Sequence, residues 1–279
     1  MPTPRLDSHQ HFWRYTAADY GWIDDTMAVL RRDFLPVDLK PVLDQTGQDG
    51  CIAVQARQSE AETRWLLRLA DEAPWIRAVV GWVDLALAEV ADRLDALRHE
   101  RLRGIRHVLQ AEPDDYSRSS AFRRGLAELA RRGLVYDLLV YAPQLPVAIE
   151  LVRAFPDQAF VLDHMGKPRV RAGEHSTWAR DLLVLASLPN VACKLSGLVT
   201  EAEWRTWTNA SLRPYFETVL EAFGPKRLMF GSDWPVCLSA ATYARWHQVA
   251  AAWTGPLSAS ERAAIEGGTA ATWYRLPQA

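Results

Sequence analysis

Two short motifs carry the residues best suited to chemistry. Asp7-Ser8-His9-Gln10-His11 closes an apolar run near the start of the chain, and Phe230-Gly231-Ser232-Asp233-Trp234 closes another near its end. Residues two apart on a strand share a face, so His9 and His11 would present both imidazoles to one side with Gln10 turned away. Two such nitrogens can hold a metal or polarise a carbonyl. Asp233 would complete the site if the chain closes into a parallel barrel, where the first and last strands are neighbours. A lone His-x-His also arises by chance or in core packing; its pairing with Gly231-Ser232-Asp233-Trp234 is what favours a site.

The same reasoning reaches every polar residue that ends an apolar run, because barrel enzymes build their sites at the C-terminal strand ends. Those residues are Gln55, Asp84, Arg106 with His107, Tyr136 with Asp137, Asp163 with His164, Lys194 and Ser232. Asp233 is the candidate general base, a role typically worth about 10²–10⁴-fold in rate. His9, His11 and His164 are candidate electrophiles toward a carbonyl oxygen, as N–H donors or through a metal. His164 could equally cap the turn running to Pro168, and Asp163 could orient an imidazole instead of acting directly. Arg106 and Lys194 would bring positive charge for a ring oxygen, a hydroxyl or a product carboxylate. Salt bridging is the alternative for both, although inside strand runs an unpaired charge is costly. Of the 12 tryptophans, Trp13, Trp22, Trp82 and Trp234 lie near strand ends and offer flat surface for a carbohydrate ring, with core packing as the other reading.

Positioning such residues requires a repeating scaffold. Eight β-rich runs, at 5–9, 51–55, 78–83, 104–108, 134–140, 159–163, 191–195 and 227–230, alternate with helical patterns at 60–72, 87–99, 120–131, 145–154, 178–187 and 214–223. The strands are nearly continuous apolar runs, as expected when both faces are buried, while the helices repeat apolar residues every three or four. This predicts an α/β fold, a (β/α)8 TIM barrel, occupying residues 1–279 as one domain. An open doubly wound sheet would want a glycine-rich dinucleotide turn after the first strand, and none is present. The segment 12–35 is too long for an ordinary connection and is expected to fold over the site mouth.

Composition bounds the partners. Hydrophobic residues make up 49% and charged residues 24%, so a large core is available. A net charge of -2 supplies no basic field for nucleic acid or acidic lipid. No apolar stretch reaches 18 residues and no signal region opens the chain, so a cytoplasmic location and no membrane partner are expected. Cys51, Cys193 and Cys237 are odd in number, far apart and set in apolar sequence, which reads as buried free thiols; a nucleophilic role for Cys193 or Cys237 lacks a neighbouring base. A small molecule is the expected substrate.

Several segments together carry a resemblance that covers essentially the whole chain. They are Asp7 to Trp13, Gly104-Ile105-Arg106-His107-Val108-Leu109-Gln110, Tyr136-Asp137-Leu138-Leu139-Val140, Leu162-Asp163-His164-Met165-Gly166-Lys167-Pro168, Cys193-Lys194-Leu195-Ser196-Gly197-Leu198 and Met229 to Cys237. The sequence resembles the amidohydrolase superfamily, in the amidohydrolase-2 branch that contains sugar lactonases such as L-fuconolactone and L-rhamnonolactone hydrolases. The resemblance implies a distorted barrel of the amidohydrolase type and a carboxylic ester hydrolase that opens a sugar lactone to the aldonic acid. It maps a first-strand His pair to His9 and His11, a mid-barrel His to His164 and a last-strand Asp to Asp233. Two-metal members carry a carboxylated Lys where this chain has Tyr136-Asp137, and a further His where it has Lys194. Those departures argue against a binuclear centre. What remains is either no required cofactor or a single divalent ion such as zinc on His9, His11, His164 and Asp233. Substrate contacts would fall to Arg106, His107, Gln110, Tyr136, Lys194, Trp13 and Trp22. The alternatives within the branch are a pyrone-dicarboxylate-type lactonase and a zinc-dependent decarboxylase. Oligomeric state is not legible.

Overall fold

A computed structural model describes residues 3–277. Eight strands form one sheet in the order β1 to β8, every hydrogen-bonded pair parallel. They are β1 Leu6–Gln10, β2 Gly50–Val54, β3 Ile76–Gly81, β4 Leu102–His107, β5 Val135–Leu138, β6 Phe160–Leu162, β7 Val191–Leu195 and β8 Leu228–Phe230. All eight anticipated strands are present, with ends that differ by a few residues. Helices Glu60–Glu72, Ser120–Arg131 and Leu145–Ala154 coincide with the periodic stretches. The stretch at 87–99 contracts to Val90–Ala96, and the helix expected from Pro214 begins earlier, at Asn209, where the Thr208 side chain caps it by accepting from the Ser211 N–H, with Pro214 inside the helix. Among the described residues two helices of ten residues or more were not expected, Pro36–Thr46 and Tyr243–Thr254, with the shorter Leu198–Glu201, Ala259–Ala263 and Thr269–Trp273. The fold is a (β/α)8 TIM barrel.

Closure between β8 and β1 is where the barrel departs from regularity. The seam has a single strand-type bridge, Gln10 to Trp234, with the His11 N–H donating to the Trp234 carbonyl at 2.7 Å. One further main-chain bond, from the Asp233 N–H to the His9 carbonyl, and side chains supply the rest of the join. Asp7 Oδ1 accepts from the Ser232 N–H at 2.9 Å and Asp7 Oδ2 accepts from the Ser232 hydroxyl at 2.6 Å, while the Ser8 hydroxyl donates to the Phe230 carbonyl at 2.6 Å. Burial pushes the Asp7 carboxyl up to about 6, against the pull of Ser232 and the His9 N–H.

A bulge in β1 decides which way the histidines face. Asp7 pairs with Cys51 and Gln10 with Ala53, so β1 spends one residue more than β2 over the same rise. Leu6 lies in the apolar barrel interior with Val54, Val80 and Met229, floored by Ala270 and Tyr274. Simple alternation from Leu6 would turn His9 away from that side; the extra residue restores it, and Gln10 faces outward to donate to Cys51 Sγ at 3.2 Å.

The segment between β1 and the first helix packs on the same end of the barrel. Phe12 and Phe34 both meet the Trp234 ring edge-on, and Trp13 donates through Nε1 to the Arg32 carbonyl at 2.9 Å. No helix among the described residues is long and apolar enough to cross a membrane. Replacing Asp7 with Ala strands the Ser232 and His9 donors, each such buried group costing about 1–3 kcal/mol. Asp7→Ala is therefore expected to lower unfolding free energy by about 2–4 kcal/mol in a denaturant titration; an unchanged midpoint would remove the seam from the account.

Candidate active site

The first strand and the segment after the last strand meet where the seam ends. Asp233 follows Ser232 directly, adopts a left-handed backbone with φ 58°, and donates its N–H to the His9 carbonyl at 2.8 Å. Gly231 permits the approach, since a Cβ there would lie 2.8 Å from the His9 Cβ. The Asp233 carboxylate oxygen Oδ1 stands 3.4 Å from His11 Nε2, 3.8 Å from His9 Nε2 and 3.9 Å from His164 Nε2. All four residues are at most 4% exposed. Three imidazoles and one carboxylate thus converge on a single buried point.

His164 is held there by an unusual backbone. His164, Met165 and Lys167 have φ of 53°, 55° and 47°, with Gly166 at 69°, so four successive residues follow a left-handed turn that L-residues normally avoid. Trp178 Nε1 pins the turn by donating to the Met165 carbonyl at 2.8 Å. The His164 ring pairs through Nδ1 with the Ser196 hydroxyl at 2.9 Å, and a Cβ on Gly197 would lie 2.5 Å from that nitrogen. His164 therefore belongs to the site; it does not merely cap the turn.

Hydrogen bonding fixes one tautomer. His11 Nδ1 lies 2.8 Å from the Val54 carbonyl, which can only accept, so a proton sits on Nδ1; Nε2 offers a lone pair to the site when the ring is neutral and faces Asp233 as a donor when it is protonated. His9 Nε2 is 3.1 Å from His11 Nε2. His9 Nδ1 faces two partners of opposite kind, the Lys194 ammonium at 3.1 Å and Asp163 Oδ1 at 3.2 Å.

Under this group lies a buried charge network. Arg106 donates to Asp163 Oδ2 at 2.9 Å and to the Gln55 carbonyl, and Nη1 comes within 3.4 Å of His9 Nε2. Lys194 lies 2.9 Å from Asp163 Oδ1, close but not aligned as a hydrogen bond, and donates to Asp137, which also accepts from the Tyr274 hydroxyl at 2.8 Å. Two cations and two carboxylates are thereby matched within the barrel, as buried charges require. Asp163 thus stands between both cations and beside His9 Nδ1.

Electrostatics favour neutral rings and an ionised base. Burial holds His9 well below the usual histidine range and brings His164 down to about 4, despite the neighbouring carboxylates. Burial pushes Asp233 upward, but His164 and His11 outweigh it and leave the carboxyl below its ordinary value. The donors suit a metal as well. His9, His164 and Asp233 offer ligand atoms all within 4.8 Å of one another, His11 Nε2 points at the same carboxylate, and His11 and His164 have their second ring nitrogen engaged as metal-bound imidazoles do.

Other anticipated contacts lie elsewhere. Tyr136 is fully buried between Phe122 and Phe160, on the face of β5 opposite Asp137. His107 accepts from Trp82 Nε1 at 3.2 Å, lies 2.9 Å from Glu112 and stacks on Tyr116, which uses both its nitrogens. Trp13 is fully buried among Tyr20, Trp22 and Phe34, whereas Trp22 is 42% exposed at the edge of Trp13. Gln110 sits in a short turn, its Oε1 buried without a protein partner. The cysteines are free and buried, and burial raises their thiols, so none is an activated nucleophile. Ser196, Gly197 and Tyr274 were missed, because a serine, a glycine and a C-terminal tyrosine carry no signal until a partner is placed beside them.

Gly197 and Gly173 share φ 67°, but only Gly197 faces His164 while nothing lies within 4 Å of Gly173. Alanine at either position should cost about 1–3 kcal/mol in backbone strain. Gly197→Ala is expected to exceed Gly173→Ala in a thermal melt and to shift the His164 ring resonances in an NMR spectrum; equal effects would mean that ring is not tightly held.

Comparison with known proteins agrees with this geometry. A family model described as Amidohydrolase matches residues 6–276. The chain is 46% identical to an L-fucono-1,5-lactonase of Burkholderia multivorans over 100% of this chain and 98% of that protein. It is 36% identical to an L-fucono-1,5-lactonase of Burkholderia ambifaria, covering 98% and 96% respectively. A crystal structure of an amidohydrolase from Burkholderia multivorans with bound zinc superposes with a TM-score of 0.96 at 46% identity, over 98% of this chain and 100% of that one. A barrel that brings His9, His11, His164 and Asp233 to one point, matched from β1 to beyond the last helix, belongs to the amidohydrolase family.

Proposed function

We propose that the chain is a lactonase that opens a sugar lactone, of the L-fucono-1,5-lactone kind, to the aldonic acid. One observation carries the reading: a buried carboxylate, Asp233, within 3.9 Å of three imidazole nitrogens. The full-length likeness to two L-fucono-1,5-lactonases supports the substrate class. One barrel domain spanning the chain, acting on a small molecule in the cytoplasm, is part of the same reading.

Asp233 accepts the proton of the attacking water, and its ionised state at neutral pH leaves it ready to do so. His164 donates from Nε2 to the lactone carbonyl oxygen, with the Ser196 hydroxyl donating to Nδ1 to hold that tautomer. His11 cannot share this role while neutral, because its proton is committed to the Val54 carbonyl. In the other His164 tautomer, with Nδ1–H donating to Ser196, the His11 lone pair, with the nitrogens of His9 and His164 and a carboxylate oxygen of Asp233, would hold one divalent ion, and the nitrogen-rich set suits zinc. Such an ion supplies Lewis-acid polarisation of the carbonyl when bound. Arg106 and Lys194 act through Asp163 and His9, fixing the ring and balancing charge, instead of gripping substrate. As the tetrahedral centre collapses, Asp233 returns its proton to the departing ring oxygen.

Asp233→Asn should lower kcat for lactone opening by about 10²–10⁴-fold with an unaltered melt, read with a pH indicator; turnover near wild type would remove Asp233 as base. The reaction needs Asp233 ionised and His164 neutral, and both groups titrate below their ordinary values, so kcat/KM should hold steady through neutral pH and fall as the pH drops through about 4. An acid limb centred near 6.5, where an unperturbed histidine titrates, would contradict the assignment. Chelator-treated protein should still open a lactone, while zinc calorimetry should give one site per chain that weakens in His11→Ala; a decarboxylase predicts complete loss of turnover on chelation.

A further inference from the structure

Beside the imidazole cluster stands a charged pair that the chemistry above leaves unused. Lys167 ends the left-handed turn that begins at His164, and Glu201 ends the short helix Leu198–Glu201 that follows Gly197. Gly197 lies against the His164 ring, and the helix packs on the turn Val236–Ser239 just beyond Asp233. Both charges are therefore carried on backbone that touches the reacting centre from two sides. Their side chains are only 16% and 20% exposed, yet Lys167 Nζ and Glu201 Oε1 stand 3.8 Å apart, beyond hydrogen-bond length. Lys167 also lies over the Tyr141 ring, 5.2 Å from its centre. The fields agree with this placement. Burial raises Glu201, with the Asp233 charge adding to the rise, and Lys167 helps hold Asp233 and His164 down.

An ammonium can only donate and a carboxylate can only accept, whereas a hydroxyl does both. A hydroxyl oxygen seated beside the pair, about 2.8 Å from each atom, accepts from Lys167 and donates to Glu201, giving each the hydrogen bond that the pair itself does not make. We propose that Lys167 and Glu201 form a hydroxyl clamp that selects a polyhydroxylated ring over an unsubstituted one. The inference rests on the lactonase reading and deepens it. An analogue without the hydroxyl leaves two partly buried charges without their partner, which is why sites built on such hydrogen bonds discriminate strongly.

The test compares L-fucono-1,5-lactone with δ-valerolactone, which has the same ring and no hydroxyls. Glu201→Leu and Lys167→Met remove the charges while keeping most of the side-chain volume. The ratio of kcat/KM for the two lactones is expected to fall tenfold or more in both variants. A ratio that stays within tenfold of wild type in either variant overturns the clamp, because a merely structural role lowers both rates together. If the wild-type protein opens neither lactone, the lactonase reading fails by itself, and calorimetry with L-fuconate against hexanoate then decides the clamp. A preference for the polyol that disappears in both variants supports it; no preference in wild type overturns it.

Discussion

The site depends on one buried carboxylate that joins the ends of the chain. A parallel barrel must pair its last strand with its first, and here regular ladder bonds do not finish the task. Asp7 does so by accepting the backbone and side-chain donors of Ser232, one residue before Asp233. Burying an acid is costly, as the rise of its pKa to about 6 records. What the cost secures is registration: Asp233 arrives with its N–H on the His9 carbonyl and its carboxylate among three rings. A seam made only of main-chain bonds could slide; one keyed by a side chain to a single residue cannot do so without stranding it.

Strain and charge then hold the remaining groups in place. Four consecutive left-handed residues from His164 to Lys167, and a fifth at Asp233, are conformations that L-residues avoid, and they cluster at the converging point. The packing of Trp178 and the absence of a side chain at Gly197 make them tolerable. Below, Arg106, Lys194, Asp137 and Asp163 pair off, with Tyr274 from the last turn of the chain completing Asp137. The two positions at which this chain departs from the two-metal pattern, Asp137 and Lys194, are bonded to each other. A buried ion pair fills that position, and above it, among the described residues, His9, His164 and Asp233 group as possible ligands.

Much of the architecture was legible because it follows from periodicity. Continuous apolar runs marked all eight strands, and three helices matched their periodic stretches. The helix Pro36–Thr46 escaped because Pro41 interrupts its pattern, whereas Tyr243–Thr254 was legible in principle, since Tyr243, Trp246, Ala250 and Trp253 recur at helical spacing. His9, His11, His164 and Asp233 were legible because strand ends converge in a closed barrel. Tyr136 and His107 were misjudged for one reason: the residue at a strand end is visible in sequence, but the face it occupies depends on register. Tyr136 faces the helices while its neighbour Asp137 faces the axis. The bulge in β1 has no sequence mark, yet it alone lets Leu6 and His9 share a side. The tautomer of His11 likewise needed the Val54 carbonyl in place.

In the proposed reaction Asp233 works on a water molecule and never bonds to the substrate. A single turnover in ¹⁸O-labelled water, with enzyme in excess over the lactone, tests it most directly by mass spectrometry of both product and protein. One labelled oxygen is expected in the aldonic carboxylate and none in the peptide that contains Asp233. Label in that peptide would mean the carboxylate had attacked the carbonyl itself, and the geometry would need another reading.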